Sequence, residues 1–175
     1  MSVTPVDGLP GATRTGAIDP VAILHYIRKS GSSIDDAESE LNSKSGWKAI
    51  TGTSSFGDIV ASNEDKDKLA FDLVVDRVVN HVGAYWTKLD GQVDALVFAG
   101  GIGEKSAQLR ARVAGQCKCL GVELDVGRNL TNDTKEVQKT VRSIGEGKMK
   151  LLVVRTDEQY EMARQCSLDD ELYTQ

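Results

Sequence analysis

Val93-Asp94-Ala95-Leu96-Val97-Phe98-Ala99-Gly100-Gly101-Ile102-Gly103-Glu104 is the stretch on which the fold turns. Ala95 to Ala99 is an apolar run of strand length, and glycine-rich backbone follows at once. The pattern predicts a buried strand, a glycine turn and a helix starting near Ser106. A strand feeding a glycine turn and a helix start makes a backbone anion site. Glycine lets main-chain N–H groups approach a ligand, and the helix end adds partial positive charge. The same residues serve equally as a tight turn with no ligand, so this stretch alone leaves nucleotide or phosphate binding open.

Upstream, Asp90-Gly91 reads as the turn into that strand, and a long helix runs from Asn63 to about Leu89. Its apolar positions Phe71, Val74, Val75, Val78, Val82, Tyr85 and Leu89 recur at helical spacing and are expected in the core. Asp19-Pro20 is a cap followed by a first-turn proline; Val21, Leu24 and Ile27 form one apolar face, and Gly31 ends the helix. Ser33 to Leu41 reads as a second, more polar helix, and Ser43 to Val60 as loop with a short strand. Downstream, Ser106 to Cys119 reads as helix and Gly121 to Asn129 as strand and loop. Short strands are expected within 132–142 and from Met149 to Val154. Thr156, with Gln159 three residues on, has the capping-box pattern of a final helix. Strands followed by helices argue for an α/β architecture.

A chain of 175 residues suits one domain with a real core. Its 26 acidic and 21 basic residues leave a formal charge of −5, and no basic cluster with interleaved aromatics occurs, so nucleic acid is not an expected partner. No apolar run approaches the roughly 20 residues that span a bilayer. The first residues lack a signal-peptide pattern, so a cytoplasmic location is expected and no membrane partner. Cys117, Cys119 and Cys166 show no zinc-type pairing and read as reduced side chains. His25 and His81 fall in helical patterns, as surface or packing residues.

A second block lies near the amino terminus: Thr4-Pro5-Val6-Asp7-Gly8-Leu9-Pro10-Gly11-Ala12-Thr13-Arg14-Thr15-Gly16-Ala17-Ile18-Asp19-Pro20. Together with the glycine turn and Thr156-Asp157-Glu158, in that order, it resembles the acetate kinase family. Leu41-Asn42-Ser43-Lys44-Ser45-Gly46 and Gly121-Val122-Glu123-Leu124-Asp125 add weaker similarity, so the resemblance covers nearly the whole chain. It implies the actin-like and sugar-kinase ATPase fold (ribonuclease H-like), of which this chain holds most of the second domain, short of its opening strands. Residues 1–175 are then a single partial domain, the carboxy-terminal nucleotide-binding one, and the amino-terminal domain is absent.

The resemblance implies a phosphotransferase that converts ATP and acetate to ADP and acetyl phosphate with Mg2+, and a homodimer at full length. Arg14, the arginine of Thr13-Arg14-Thr15-Gly16, matches the family's transition-state stabiliser; a guanidinium suits the charge that spreads over a phosphoryl group in transfer. On its own residues, without the resemblance, Arg14 reads first as a surface arginine on a glycine loop. Glu158 matches the family's magnesium glutamate, and Asp157 and Glu158 also suit a helix start through its dipole. Gly101, Ile102, Gly103, Glu104 and Lys105 match the nucleotide-contacting turn, with Lys105 where asparagine is usual.

Departures accompany the match. Gln159 stands where a second glutamate is common, and Ala17 where aspartate is common. In Gly52-Thr53-Ser54-Ser55-Phe56-Gly57-Asp58-Ile59, Phe56 and Gly57 replace an aspartate and arginine that flank adenosine in many members. Phe56 is either a platform for a base or a buried loop anchor. The phosphoryl donor, including pyrophosphate, and the acyl length therefore stay open. The missing upstream part carries the acyl site, so the isolated chain is expected to be inactive. A non-catalytic nucleotide-binding or dimerisation piece and a related short-chain fatty-acid kinase are the alternatives.

Overall fold

The computed structural model describes residue 6, residues 8–131 and residues 140–168. These residues divide into two compact units: Met1–Val93 with Arg112–Cys117, and Asp94–Ala111 with Lys118–Gln175.

The first unit is helical. Helix α1 (Pro20–Ser30) starts where the sequence predicts: Asp19 caps it by accepting from the Val21 amide at 2.8 Å. Gly31 ends it at φ 70°, its N–H bonded to Ile27 O. The expected inward apolar face is not covered, because no residue of α1 is buried. Helix α2 (Ile34–Ser43) opens on a capping box in which Ser33 and Asp36 satisfy each other's amides. The expected loop and short strand over 43–60 is instead two short helices, α3 (Gly46–Thr51) and α4 (Phe56–Ala61). Six residues are too few for a periodic apolar stripe, and α3 takes its caps from elsewhere in the chain. The amides of Ser45, Trp47 and Lys48 donate to the carbonyls of Thr13, Gly11 and Ala12 at 2.9–3.2 Å.

Helix α5 (Asp65–Lys88) begins two residues later than predicted. Its stripe is buried at Ala70, Val74 and Val75, half-buried at Phe71, Val78 and Val82, and exposed at Tyr85 and Leu89. The unit's core is aromatic where α3, α4 and α5 meet. The Phe56 ring lies edge-on to Trp47, centroids 5.4 Å apart, and tilted against Phe71 at 6.0 Å. Burial of such rings is the main stabilising contribution here. Cys117 is also buried.

The second unit carries a three-stranded sheet, ordered β1 (Ala95–Phe98), β3 (Lys150–Val154), β2 (Val141–Gly145). Strand β3 runs parallel to β1, with Phe98 opposite Val153, and antiparallel to β2. The predicted fully buried strand is an edge among the described strands: Phe98 is buried, but Val97 is 48% exposed. Ile144, Met149, Leu151 and Val122 form the core, Val122 pairing with Met149 in an isolated parallel bridge. A second correction concerns the glycine turn. It is itself a short helix, α6 (Gly100–Lys105), and the next helix, α7 (Ala107–Gln116), follows after Ser106. The 3-10 turn Lys118–Leu120 stands at the end of the stretch read as helix to Cys119, and α8 (Val126–Leu130), capped by Asp125, occupies part of the region read as strand and loop. The strand expected within 132–142 appears later, as β2; residues 132–139 lie outside the described residues. Helix α9 (Glu158–Ser167) is capped by Asp157, which accepts from Tyr160 N, and not by Thr156. Among the described residues no helix is long and apolar enough to cross a membrane.

Candidate functional site

Parallel pairing of β1 and β3 puts their carboxy ends on one side of the sheet. From the end of β1 the chain enters α6, and from the end of β3 it enters Thr156-Asp157-Glu158. Crevices beyond the carboxy ends of parallel strands are where α/β folds bind ligands. The sequence feature and the topology therefore coincide.

Backbone conformation favours glycine at one position of this turn. Gly100 has φ 71°, the left-handed region that side chains disfavour. At Gly103 a Cβ would stand 3.4 Å from the Phe98 carbonyl carbon, so α6 packs directly on the end of β1. At Gly101 a Cβ would meet nothing within 4 Å, leaving open space over the backbone. The first amides of α6 have no side-chain cap, since Ala99 precedes them. Lys105, at the far end of α6, is exposed.

Two contacts hold this turn. The Glu104 carboxylate oxygen Oε1 accepts from both Thr156 N and Thr156 Oγ1, each at 3.0 Å. Thr156, read in the sequence as a helix cap, instead joins the glycine turn to the segment carrying Glu158. Beneath the turn lies Arg110, 2% exposed. Its Nη1 donates to the carbonyls of Gly103 (2.9 Å) and Glu104 (2.7 Å). Its Nε and Nη2 donate to Asn129 Oδ1 and O. Asn129, also buried, returns a bond from Nδ2 to Ala107 O at 2.9 Å. Burial, and secondarily the Arg142 guanidinium, pushes the Arg110 pKa down to about 10. Sequence reasoning missed Arg110 and Asn129, because an arginine inside a polar helix looks like any surface arginine.

Glu158 is exposed in the first turn of α9, two residues beyond Thr156. Among the described residues no group of three or more His, Cys, Asp or Glu is arranged around a metal. A single exposed carboxylate fits magnesium that draws most of its oxygen ligands from phosphate and water.

Arg14 and Phe56 belong to the first unit. Arg14 is exposed on a loop built with care. The Gly11 amide donates to Arg14 O at 3.0 Å, and Thr15 N donates to Leu41 O at 3.0 Å. Gly16 is buried at φ 75°, and a Cβ there would lie 2.7 Å from Pro10 N. The Phe56 ring, at the start of α4, is buried between Trp47 and Phe71. Gly57, beside it in α4, is exposed.

The model of the acetokinase family matches residues 1–164. A probable acetate kinase of Emericella nidulans is 44% identical over 180 residues, covering 95% of this chain and 43% of that protein. The acetate kinase of Syntrophobacter fumaroxidans is 39% identical, covering 94% of this chain and 40% of its own length. Among solved structures, Porphyromonas gingivalis acetate kinase superposes with TM-score 0.81 at 29% identity, over 93% of this chain and 41% of that one. A propionate kinase from Francisella tularensis superposes with TM-score 0.78 at 30% identity, over 90% and 40%. The chain thus has the actin-like α/β fold of the acetate kinases and spans less than half the length of these relatives.

Proposed function

This chain belongs to the acetokinase family, and from that premise we propose that it forms the carboxy-terminal nucleotide-binding part of a kinase moving a phosphoryl group between ATP and acetate. The products are ADP and acetyl phosphate. The observation that carries this reading is the meeting of the glycine turn and the Glu158 segment beyond the parallel strands β1 and β3. Gly101, Ile102, Gly103, Glu104 and Lys105 form the nucleotide side, with Gly57 as a neighbour of the adenosine. Glu158 is the residue that would hold Mg2+, which neutralises phosphate charge when bound. Arg14 stabilises the transferring phosphoryl group through paired donors. Catalysis is in-line transfer that rests on positioning and charge stabilisation, with no covalent step assigned to this chain.

A propionate kinase among the solved neighbours favours a second acyl acceptor, so propionate stands beside acetate as substrate. For the isolated chain, nucleotide binding without turnover is the expected behaviour.

The test pairs two assays. Calorimetric titration of this chain with Mg–ATP, with pyrophosphate as a competing donor, reads binding; Glu158→Gln is expected to weaken the Mg-dependent part. Hydroxamate trapping in the native protein from its source cells, with acetate or propionate, reads transfer. Arg14→Ala is expected to lower trapped product by about a hundredfold or more. Absence of nucleotide binding by the chain, or full activity of Arg14→Ala, overturns the reading.

A further inference from the structure

The glycine turn and the magnesium carboxylate lie on separate segments, and something must set the distance between them. Glu104 is half-buried in the last turn of α6. A carboxylate at a helix carboxy end meets the negative end of the dipole, so its place there needs an offset. Two donors from one residue supply it: Thr156 N and Thr156 Oγ1, both on Oε1 at 3.0 Å, from 52 positions away in the chain. The backbone of Glu104 is held independently, by Arg110 Nη1 on its carbonyl at 2.7 Å. Glu104 is therefore fixed at both ends, and Thr156 is fixed to it two residues before Glu158.

We propose that Glu104 is a positioning residue, fastening the nucleotide-facing turn to the Glu158 segment through Thr156 so that the two move as one piece. The role rests on the nucleotide-site reading above. It assigns Glu104 no contact with the phosphates.

The test uses the whole chain and three variants. Glu104→Ala removes the acceptor. Glu104→Gln keeps an oxygen that accepts from both Thr156 donors. Thr156→Val removes the hydroxyl while keeping shape and amide. Amide exchange in the free protein decides whether the fastening exists. Glu104→Ala is expected to expose the Thr156 amide and speed its exchange about tenfold or more, with α5 unchanged. Thr156→Val is expected to speed exchange at 104–106, remote in sequence, and Glu104→Gln to restore wild-type rates. Where Glu104→Ala accelerates α5 as well, the molecule has loosened globally and Thr156→Val decides. Binding adds a second readout: Thr156→Val is expected to lose about tenfold of the magnesium-dependent gain in ATP affinity, with magnesium-free ADP affinity unchanged. Wild-type exchange in Thr156→Val at 104–106, or equal loss of Mg-dependent and Mg-free affinity in Thr156→Val, overturns the proposal. Failure of wild-type protein to bind nucleotide overturns the functional reading instead, and the exchange rates still decide whether the two segments are fastened.

Discussion

Arg110 and Asn129 are bonded to each other twice, Nε to Oδ1 at 2.7 Å and Nη2 to the carbonyl at 3.0 Å, and both residues are buried. This buried cation donates to neutral acceptors, an amide oxygen and three backbone carbonyls. Removing the guanidinium takes this donor from each of these oxygens, and a buried acceptor left unsatisfied costs about 1–3 kcal/mol. Arg110→Ala is expected to lose at least about 3 kcal/mol, read as a lower urea midpoint at unchanged slope. Arg110→Lys keeps the charge without the fork and should fall between. A loss below about 0.5 kcal/mol in Arg110→Ala would mean that the network contributes nothing to stability.

Phe56 is expected to behave as a core residue. Phe56→Ala should destabilise by about 3–5 kcal/mol through lost burial and the cavity left between Trp47 and Phe71. Phe56→Leu keeps most of the volume, and its nucleotide affinity per folded molecule should equal wild type. Calorimetric unfolding and titration of the same samples separate the two. A stable Phe56→Leu with tenfold weaker ATP binding would restore the base-platform role.

The loop presenting Arg14 depends on Gly16. Gly16→Ala combines a positive φ with a Cβ driven into the Pro10 backbone. The expected cost is about 1–3 kcal/mol or more. Gly101→Ala, where a Cβ meets open space, should leave the free protein's melting temperature within a few degrees. Thermal melts of the pair check the contrast, and equal losses would contradict it.

Acid should act on α2 through Asp36. Hydrogen bonds from the Ser33 hydroxyl and amide hold its pKa below the ordinary carboxylate value. The folded pKa is lower than the unfolded one, so the stabilisation is present above the unfolded value of 3.8 and is lost as pH falls through the folded value. Ser33→Ala should return the Asp36 titration toward 3.8, followed by carboxyl NMR. An Asp36 curve unmoved by that substitution would remove the capping box as its cause. Arg110 behaves in the opposite sense for a cation. Its lowered pKa makes the charged form a cost below about 10, relieved only as pH rises above that value, so it adds no slope near neutrality.

What was legible in the sequence is what is local. Asp19-Pro20 and Gly31 set the ends of α1 through bonds within a few residues, and α5 and β3 follow from periodicity. Helices α3 and α4 were not legible, because α3 is capped by carbonyls of the Arg14 loop and neither is long enough for a stripe. The exposure of Val21 and Leu24 was also hidden: an apolar stripe records a preference for burial, not what covers it. At the site, the glycine turn and Glu158 were visible as motifs. The bond that joins their segments spans 52 positions and leaves no local pattern, so Thr156 looked like a cap. Arg110 was hidden because burial of a charge is a property of packing alone.

The strand order β1-β3-β2 also has a consequence for synthesis. β1 and β2 do not pair with each other; both wait for β3, the last of the three to be translated. A nascent chain halted after Gly145 therefore lacks the strand that pairs with both, and among the described strands neither pairing has formed. Both pairings therefore form in one late step, once Val154 has cleared the ribosome, and long-range pairings of this kind are the slow ones in folding.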